Sequence, residues 1–314
     1  MYIGIDLGGT NIAVGVVTDA GEILAQDSVP TLAEREYPEI VKDMAMLCER
    51  VAKEAGCTMQ DIKAIGIGCP GSIDRKNGIV SYANNLKMDH TPLAAELQKY
   101  FDLPVQVEND ANAAAFGEYM INGEGVDHFI FITLGTGVGG GIIINKEIYS
   151  GFNGAGGELG HFTLVFDGEP CTCGNAGCWE AYASVTALIR QTKAAMEKNP
   201  DSLMHSIVAQ QGKVNGRTAF DAAKQGDKAA QEVVDTYVSY VAAGVMSMIN
   251  IFQPEKFVIG GGISKEGDRL LKPIIDFVNQ YGYNKYLEKT EIKVATLFND
   301  AGIIGAALAA KMFA

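Results

Sequence analysis

The chain has 314 residues, 47% of them hydrophobic and 37 of them glycine, which is enough for two domain-sized cores. A formal net charge of -13 argues against nucleic acid as a standing partner, because attraction to phosphate needs a basic face. The longest apolar run, near Val241 to Ile249, is too short to cross a bilayer, and the opening YIGIDLGGT lacks the basic start and long apolar core of a secretory signal.

Taken in order, Tyr2 to Leu7, the turn Gly8-Gly9-Thr10-Asn11 and Ile12 to Val17 read as strand, glycine turn and strand, with a further strand over Glu22 to Gln26. A helix is predicted over Tyr37 to Ala55, with Pro38 at its first turn, Gly56 at its end and Ile40, Met44, Leu47 and Val51 on one face. Ala64 to Gly68 reads as strand, Thr91-Pro92 as the opening of a helix through Leu93, Leu97 and Phe101, and Leu103 to Val107 as strand. Glu108-Asn109-Asp110 then leads into a helix over Ala111 to Met120. The pattern restarts at Phe129 to Leu134, with the turn Gly135-Thr136-Gly137 and a strand Gly141 to Ile144. Sliding the second unit back sets Leu134 on Leu7 and Gly135 on Gly8, so a duplicated unit is expected. Beyond residue 180 the chain reads as mainly helical: Val185 to Lys198, Thr218 to Gln225 and Lys228 to Ile251. A strand Phe257 to Ile259, a helix Arg269 to Gln280, a strand Ile292 to Leu297 and an alanine-rich helix Ala301 to Met312 complete it.

Gly135 to Gly140 satisfies G-x-G-x-x-G, but a dinucleotide fingerprint must open a helix, and here a β-branched run follows. There is no G-x-x-x-x-G-K-[ST] either. Two facing glycine turns fit better, because their backbone N–H groups cradle phosphate oxygens and glycine allows close approach. Thr10, Asn11 and Thr136 add side-chain donors. Asp6, at a strand end, is a candidate ligand for magnesium, or else it caps the following turn. Gly260 to Gly262 is a further glycine stretch, with or without a ligand.

Gly157 to Glu180 gathers Cys171, Cys173, Cys178, His161 and the only tryptophan, with Glu158 and Glu180 near its ends. One imidazole and three thiolates make a complete tetrahedral zinc set, which leaves no open position, so the ion would be structural. The alternatives are buried free thiols or a disulfide with one thiol left over, and a C-x-C pair does not bridge comfortably to itself. A zinc-bound His161 keeps its second nitrogen for a ligand hydroxyl. The scattered Cys48, Cys57 and Cys69 fit a reducing compartment, so a cytoplasmic protein is expected.

G-E-x-G-H followed by C-x-C-G-x-x-G-C-x-E resembles the ROK family of bacterial sugar kinases and sugar-responsive repressors, and within it the zinc-containing glucokinases. The likeness runs over essentially the whole chain. It implies the duplicated ribonuclease H-like fold of actin, hexokinase and the chaperone ATPases, with an interdomain cleft. The expected division is a first domain, residues 1-117 plus 300-314, and a second, 118-299, with a hinge near 117-125 and again near Asn299, and the last helix packing back on the first domain. The resemblance also implies ATP, magnesium and structural zinc as cofactors and a homodimer or homotetramer. ATP contacts fall to Gly8, Gly9, Thr10, Asn11, Thr136 and Gly137, with Gly261 and Gly262 near the adenosine. Asp110 becomes the base that takes a proton from the sugar's 6-hydroxyl, although an Asp before an alanine run is equally an ordinary helix cap. Asn109, Glu158, His161, Glu180 and the backbone at Gly71 become sugar contacts. Glucose is the expected hexose, with N-acetylmannosamine, N-acetylglucosamine or fructose as rivals, and a non-catalytic sugar sensor as the rival of another class. Lys87-Met88-Asp89 stands where many family glucokinases carry an aromatic residue. The family's repressors carry a DNA-binding extension ahead of the first glycine turn, for which this chain is expected to lack room.

Overall fold

The computed structural model describes residues 1–123 and 125–312, so residue 124 of the expected hinge and the last two residues of the 300-314 segment lie outside the described residues. Strands β1 (Tyr2–Leu7), β2 (Asn11–Val17) and β3 (Ile23–Pro30) form an antiparallel meander, followed by helix α1 (Tyr37–Glu54) and β4 (Ile65–Cys69). Three short strands come next, β5 (Ser72–Asp74), β6 (Ile79–Ala83) and β7 (Met88–Thr91), then α2 (Leu93–Gln98), β8 (Val105–Asn109) and α3 (Asp110–Asn122). The repeat begins with β9 (Phe129–Leu134), β10 (Val138–Ile144) and β11 (Glu147–Tyr149). Helices α4 (Glu180–Ala183), α5 (Val185–Lys198), α6 (Leu203–Gln211), α7 (Thr218–Lys224) and α8 (Lys228–Phe252) lead to β12 (Lys256–Gly260), α9 (Asp268–Tyr281), β13 (Glu291–Val294) and α10 (Ala301–Lys311).

The duplication expected from the two glycine turns is written in the sheet order. One sheet runs β3-β2-β1-β4-β8 and the other β11-β10-β9-β12-β13, so in each a three-strand meander is extended by two later strands. β4 pairs parallel with β1 and β8, and β13 parallel with β12. A third, small sheet is β5-β6-β7. The chain divides into two compact units: Met1–Phe129, Gly140–Gly157 and Thr296–Ala314 in the first, Ile130–Gly139 and Glu158–Ala295 in the second. No helix among the described residues is long and apolar enough to cross a membrane.

In the first unit the alternation I-G-I in β1 and β4 sends isoleucines to one face and glycines to the other. Ile3, Ile5, Ile65 and Ile67 join Ile40, Met44, Leu47 and Val51 of α1 in a core from which solvent is excluded. Each such isoleucine contributes about 1.5–3 kcal/mol relative to exposure. The glycine face receives α10, a helix rich in alanine and glycine that also carries Ile303. A methyl placed on Gly66 would stand 1.8 Å from the Ala306 carbonyl oxygen, and one on Gly4 1.9 Å from that of Ile303. Helix and sheet backbones therefore meet directly. Gly66→Ala is expected to lower stability by about 1–3 kcal/mol through overpacking, and Gly66→Val by more, in urea unfolding followed by circular dichroism. An unchanged midpoint for Gly66→Val would refute this spacing.

In the second unit the long helix α8 starts at Asp227, whose carboxylate accepts the Ala230 N–H at 2.8 Å, a strong N-cap. Its Gly244 leaves the space that Trp179 fills, since a methyl there would lie 2.0 Å from the indole. The indole Nε1 donates to the Tyr240 carbonyl at 2.9 Å and the ring packs on Phe162 at 5.5 Å. This buried anchor carries the cysteine-rich loop.

Candidate active site

The first unit gathers its predicted residues at the carboxyl ends of parallel strands, where ligands bind in open α/β sheets. Asp6 lies near the end of β1, Gly71 just after β4, Asn109 ends β8 and Asp110 opens α3. Asn109 is the helix cap: its Oδ1 accepts the N–H groups of Ala111 and Asn112 at 3.0 and 3.1 Å. Its Nδ2 donates to the Gly71 carbonyl at 3.1 Å, which keeps one amide hydrogen for a ligand. Capping is thus the work of Asn109, while Asp110 accepts the adjacent Ala111 N–H, at 2.8 Å. Gly71 sits at φ +99°, with the Tyr82 carbonyl 2.1 Å from where a methyl would be, so only glycine fits.

Burial raises the Asp110 carboxyl above its ordinary value, against the pull of the Ala111 N–H and its own. Burial, then the charge of Asp110, push Asp6 up to about 6. Two carboxyls that resist ionising together are the donor chemistry of a hard divalent cation such as magnesium, and the residues present fit one. A carboxyl with a raised folded pKa favours the folded state fully below its ordinary value of 3.8, and that contribution is lost as the pH rises through about 6. Without divalent cation, Asp6→Asn is expected to be more stable than wild type at pH 7.5 by about 2–3 kcal/mol, and no more stable at pH 3.5. Equal stability at pH 7.5 in thermal melts would show that the Asp6 carboxylate is not held under strain.

The glycine turn after β1 is pinned from behind by Thr31, a residue the sequence reading passed over. Its hydroxyl donates to the Gly8 carbonyl at 2.6 Å and its N–H to the Thr10 carbonyl at 2.8 Å, while Gly8 N–H meets the Asn11 carbonyl at 2.9 Å. Gly9, Thr10 and Asn11 are exposed at the tip. Glu108 was also passed over. Only 2% exposed, it faces Arg75 at 2.6 Å as an ion pair without hydrogen-bond alignment, and its Oε1 accepts from Asn109 N–H and Asn112 Nδ2. It orients the segment that carries Asp110. The only sequence signal for it was a carboxylate just past the strand expected over Leu103 to Val107 and next to Asn109-Asp110. In the segment that departs from the family's aromatic, Met88 is buried and Lys87 is exposed.

In the second unit His161, Cys171, Cys173 and Cys178 come together with all four ligand atoms within 4.8 Å. Cys173 Sγ and Cys178 Sγ are 3.6 Å apart, as are Cys171 Sγ and His161 Nδ1. That excludes a disulfide, whose sulfurs stand about 2.05 Å apart. It matches the edges of a zinc tetrahedron, which for a metal–sulfur bond of about 2.3 Å are about 3.8 Å. The donor set and its spacing fit zinc, and Nδ1 faces the cluster, leaving Nε2 for another partner. Cys178, buried beside two other thiols, is pushed up to about 12, whereas the Asn175 N–H lowers Cys173.

Glu180, at the start of α4, turns toward the second glycine turn. Its Oε2 accepts the Val138 N–H at 2.9 Å and its Oε1 lies 3.5 Å from the Thr172 hydroxyl. The turn is closed by Gly135 N–H to the Gly137 carbonyl at 3.0 Å, and Thr186 donates to the Thr136 carbonyl at 2.7 Å. The chain runs on into β10 rather than a helix, as expected. Gly261, at φ +85°, packs against the Leu134 carbonyl, which brings the Gly260–Gly262 stretch beside this turn, and Gly262 faces open space. Glu158 is exposed, one residue ahead of a short 3-10 turn, Leu159–His161.

Two sheets of matching order define a duplicated ribonuclease H-like α/β protein of the actin and hexokinase class, and solved structures agree. A ROK family glucokinase from Streptomyces griseus, in complex with glucose and AMPPNP, superposes with a TM-score of 0.83 at 36% identity, covering 99% of each chain. The chain belongs to the ROK family, whose model matches residues 2–312. The glucokinase of Thermotoga maritima is 39% identical over 97% of this chain and 95% of its own length. The xylose repressor of Caldicellulosiruptor bescii is 32% identical over 96% of this chain and 76% of its own.

Proposed function

We propose that this protein is an ATP-dependent hexose kinase that converts glucose to glucose 6-phosphate. The likeness to glucokinases along nearly the whole chain carries this reading, and Asp110 at the carboxyl ends of the parallel strands β1, β4 and β8 supports it. Asp110 accepts the proton of the 6-hydroxyl as its oxygen bonds to the γ-phosphorus and the bond to the β–γ bridging oxygen breaks, leaving ADP. Burial, which raises its carboxyl above the ordinary value, makes it a stronger proton acceptor than a solvated aspartate. Asn109, through its remaining amide hydrogen, and the backbone at Gly71 hold the sugar near the reacting end. Glu158, the free nitrogen of His161 and Glu180 hold the hydroxyls near the anomeric end. Gly8, Gly9, Thr10, Asn11, Thr136 and Gly137 present donors to the phosphates, with Gly261 and Gly262 beside the adenosine. A magnesium ion, ligated by Asp6 directly or through water, would supply charge neutralisation at the phosphates. Zinc, held by His161, Cys171, Cys173 and Cys178, would cross-link the loop and take no part in the chemistry. Assembly as a homodimer or homotetramer belongs to the same reading, and light scattering tests it.

A coupled ADP-release assay with glucose, fructose, N-acetylglucosamine and N-acetylmannosamine tests the function. Glucose is expected to give the highest kcat/KM. Dominant turnover of an acetylated amino sugar would move the assignment to that substrate, as the Lys87-Met88-Asp89 departure allows. The repressor likeness favours a second reading, sugar binding without catalysis, which no ADP release with any hexose would support.

A further inference from the structure

Glu180 reaches both the second glycine turn and the cysteine loop. Its Oε2 accepts the Val138 N–H at 2.9 Å where the second glycine turn enters β10, while its Oε1 stands 3.7 Å from Cys171 Sγ in the metal-ligand cluster. The two glycines of that turn leave room for different things. A methyl on Gly137 would fall 2.3 Å from Glu180 Oε2 and 3.1 Å from its carboxyl carbon, whereas one on Gly135 meets nothing within 4 Å. Neither glycine has a positive φ, so backbone conformation does not demand glycine at either. Gly137 is small because the carboxylate occupies the space. The second tie is on the same strand: a methyl on Gly160, next to His161, would lie 2.2 Å from the Val138 carbonyl oxygen.

From this geometry we infer that Glu180 is a positioning residue that couples the nucleotide turn to the sugar-holding loop. Gly137 and the Val138 N–H set where the carboxylate stands, and the sugar contact depends on that place. The inference rests on the functional reading above, since it takes Glu180 as a sugar contact and the turn as a phosphate contact. Coupling of this kind is reciprocal: a ligand that fixes the turn raises sugar affinity by the factor by which sugar raises affinity for that ligand. The turn thus senses the metal loop without touching the metal.

The test uses the zinc-replete full chain without nucleotide, with glucose affinity read by calorimetry and Trp179 emission as a sugar-independent readout beside Glu180. Gly137→Ala is expected to weaken glucose binding about 10- to 100-fold and to change Trp179 emission. Gly135→Ala should do neither. The double variant Gly137→Ala/Glu180→Gln is expected to bind glucose no more weakly than Glu180→Gln alone, because both changes break one link. Additive losses in the double variant, or equal losses for the two alanine variants, would overturn the coupling. If Glu180→Gln leaves glucose affinity intact while Gly137→Ala still shifts Trp179 emission, the link stands and the sugar role of Glu180 falls.

Discussion

Asp110→Asn is expected to lower kcat about 10²- to 10⁴-fold, the usual span for a general base, while the dissociation constant for glucose stays within about threefold. The substitution isolates the proton because an asparagine keeps an Oδ1 to accept the Ala111 N–H, and the helix start is held in any case by Asn109. Fold and sugar contacts therefore survive while the lone pair that takes the proton is lost. The pH profile gives an independent check. With its carboxyl raised by burial, Asp110 must lose its own proton before it can accept another, so kcat is expected to climb with pH along a limb displaced above the ordinary carboxylate value. The rate and calorimetric affinity of the purified variant measure the split. A kcat close to wild type would remove Asp110 from the chemistry.

Loss of the metal site is expected to have the other large effect. Cys178 is fully buried, next in sequence to the Trp179 anchor, so Cys178→Ser leaves three ligands and a polar group where no solvent enters. Metal content by mass spectrometry is expected to fall from about one zinc per chain to none, since a structural site needs all four ligands. Glucose affinity is expected to fall about 10²- to 10⁴-fold, as two to three hydrogen bonds to charged or metal-bound groups lose their geometry at about 1.5–3 kcal/mol each, only partly offset by water. Trp179 emission should shift to the red as the indole loses its contact with Phe162. Full glucose affinity in metal-free protein would separate the sugar site from the cysteine loop.

Much of this was legible because strong local patterns agree with the tertiary structure. The β1 and β9 repeats carry the same apolar run into a glycine turn, and the sheets repeat the same order. His161, Cys171, Cys173 and Cys178 stood out by residue type alone. The small sheet did not, because β5, β6 and β7 are three to five residues long and carry Ser, Asp, Lys-adjacent and His positions that fit no clean alternation. Thr91, read as the opening of a helix, is the last residue of β7, Pro92 caps the short α2, and the helix stops at Gln98, leaving Phe101 buried beyond it. Helix α6 was missed although its signals are present: Ser202 accepts the Met204 N–H at 3.2 Å and Gly212 closes it at φ +78°. The tie from Glu180 to Val138 joins residues 42 apart, and no reading of spacing reaches that far.

The seam between α10 and the glycine faces of β1 and β4 bears on how the polypeptide matures on the ribosome. Residues 301–311 are synthesised after everything they cover, so the nascent first unit emerges with the β1 side of that face bare and only the end of β4 met by α3, while the stretch 130–295 already holds all that its own unit needs. Translation order and completion order are thereby reversed, and the earliest-made strands wait longest for their cover. A stalled chain ending near Leu297 should be captured by chaperones through those uncovered strands and released once the missing helix is supplied.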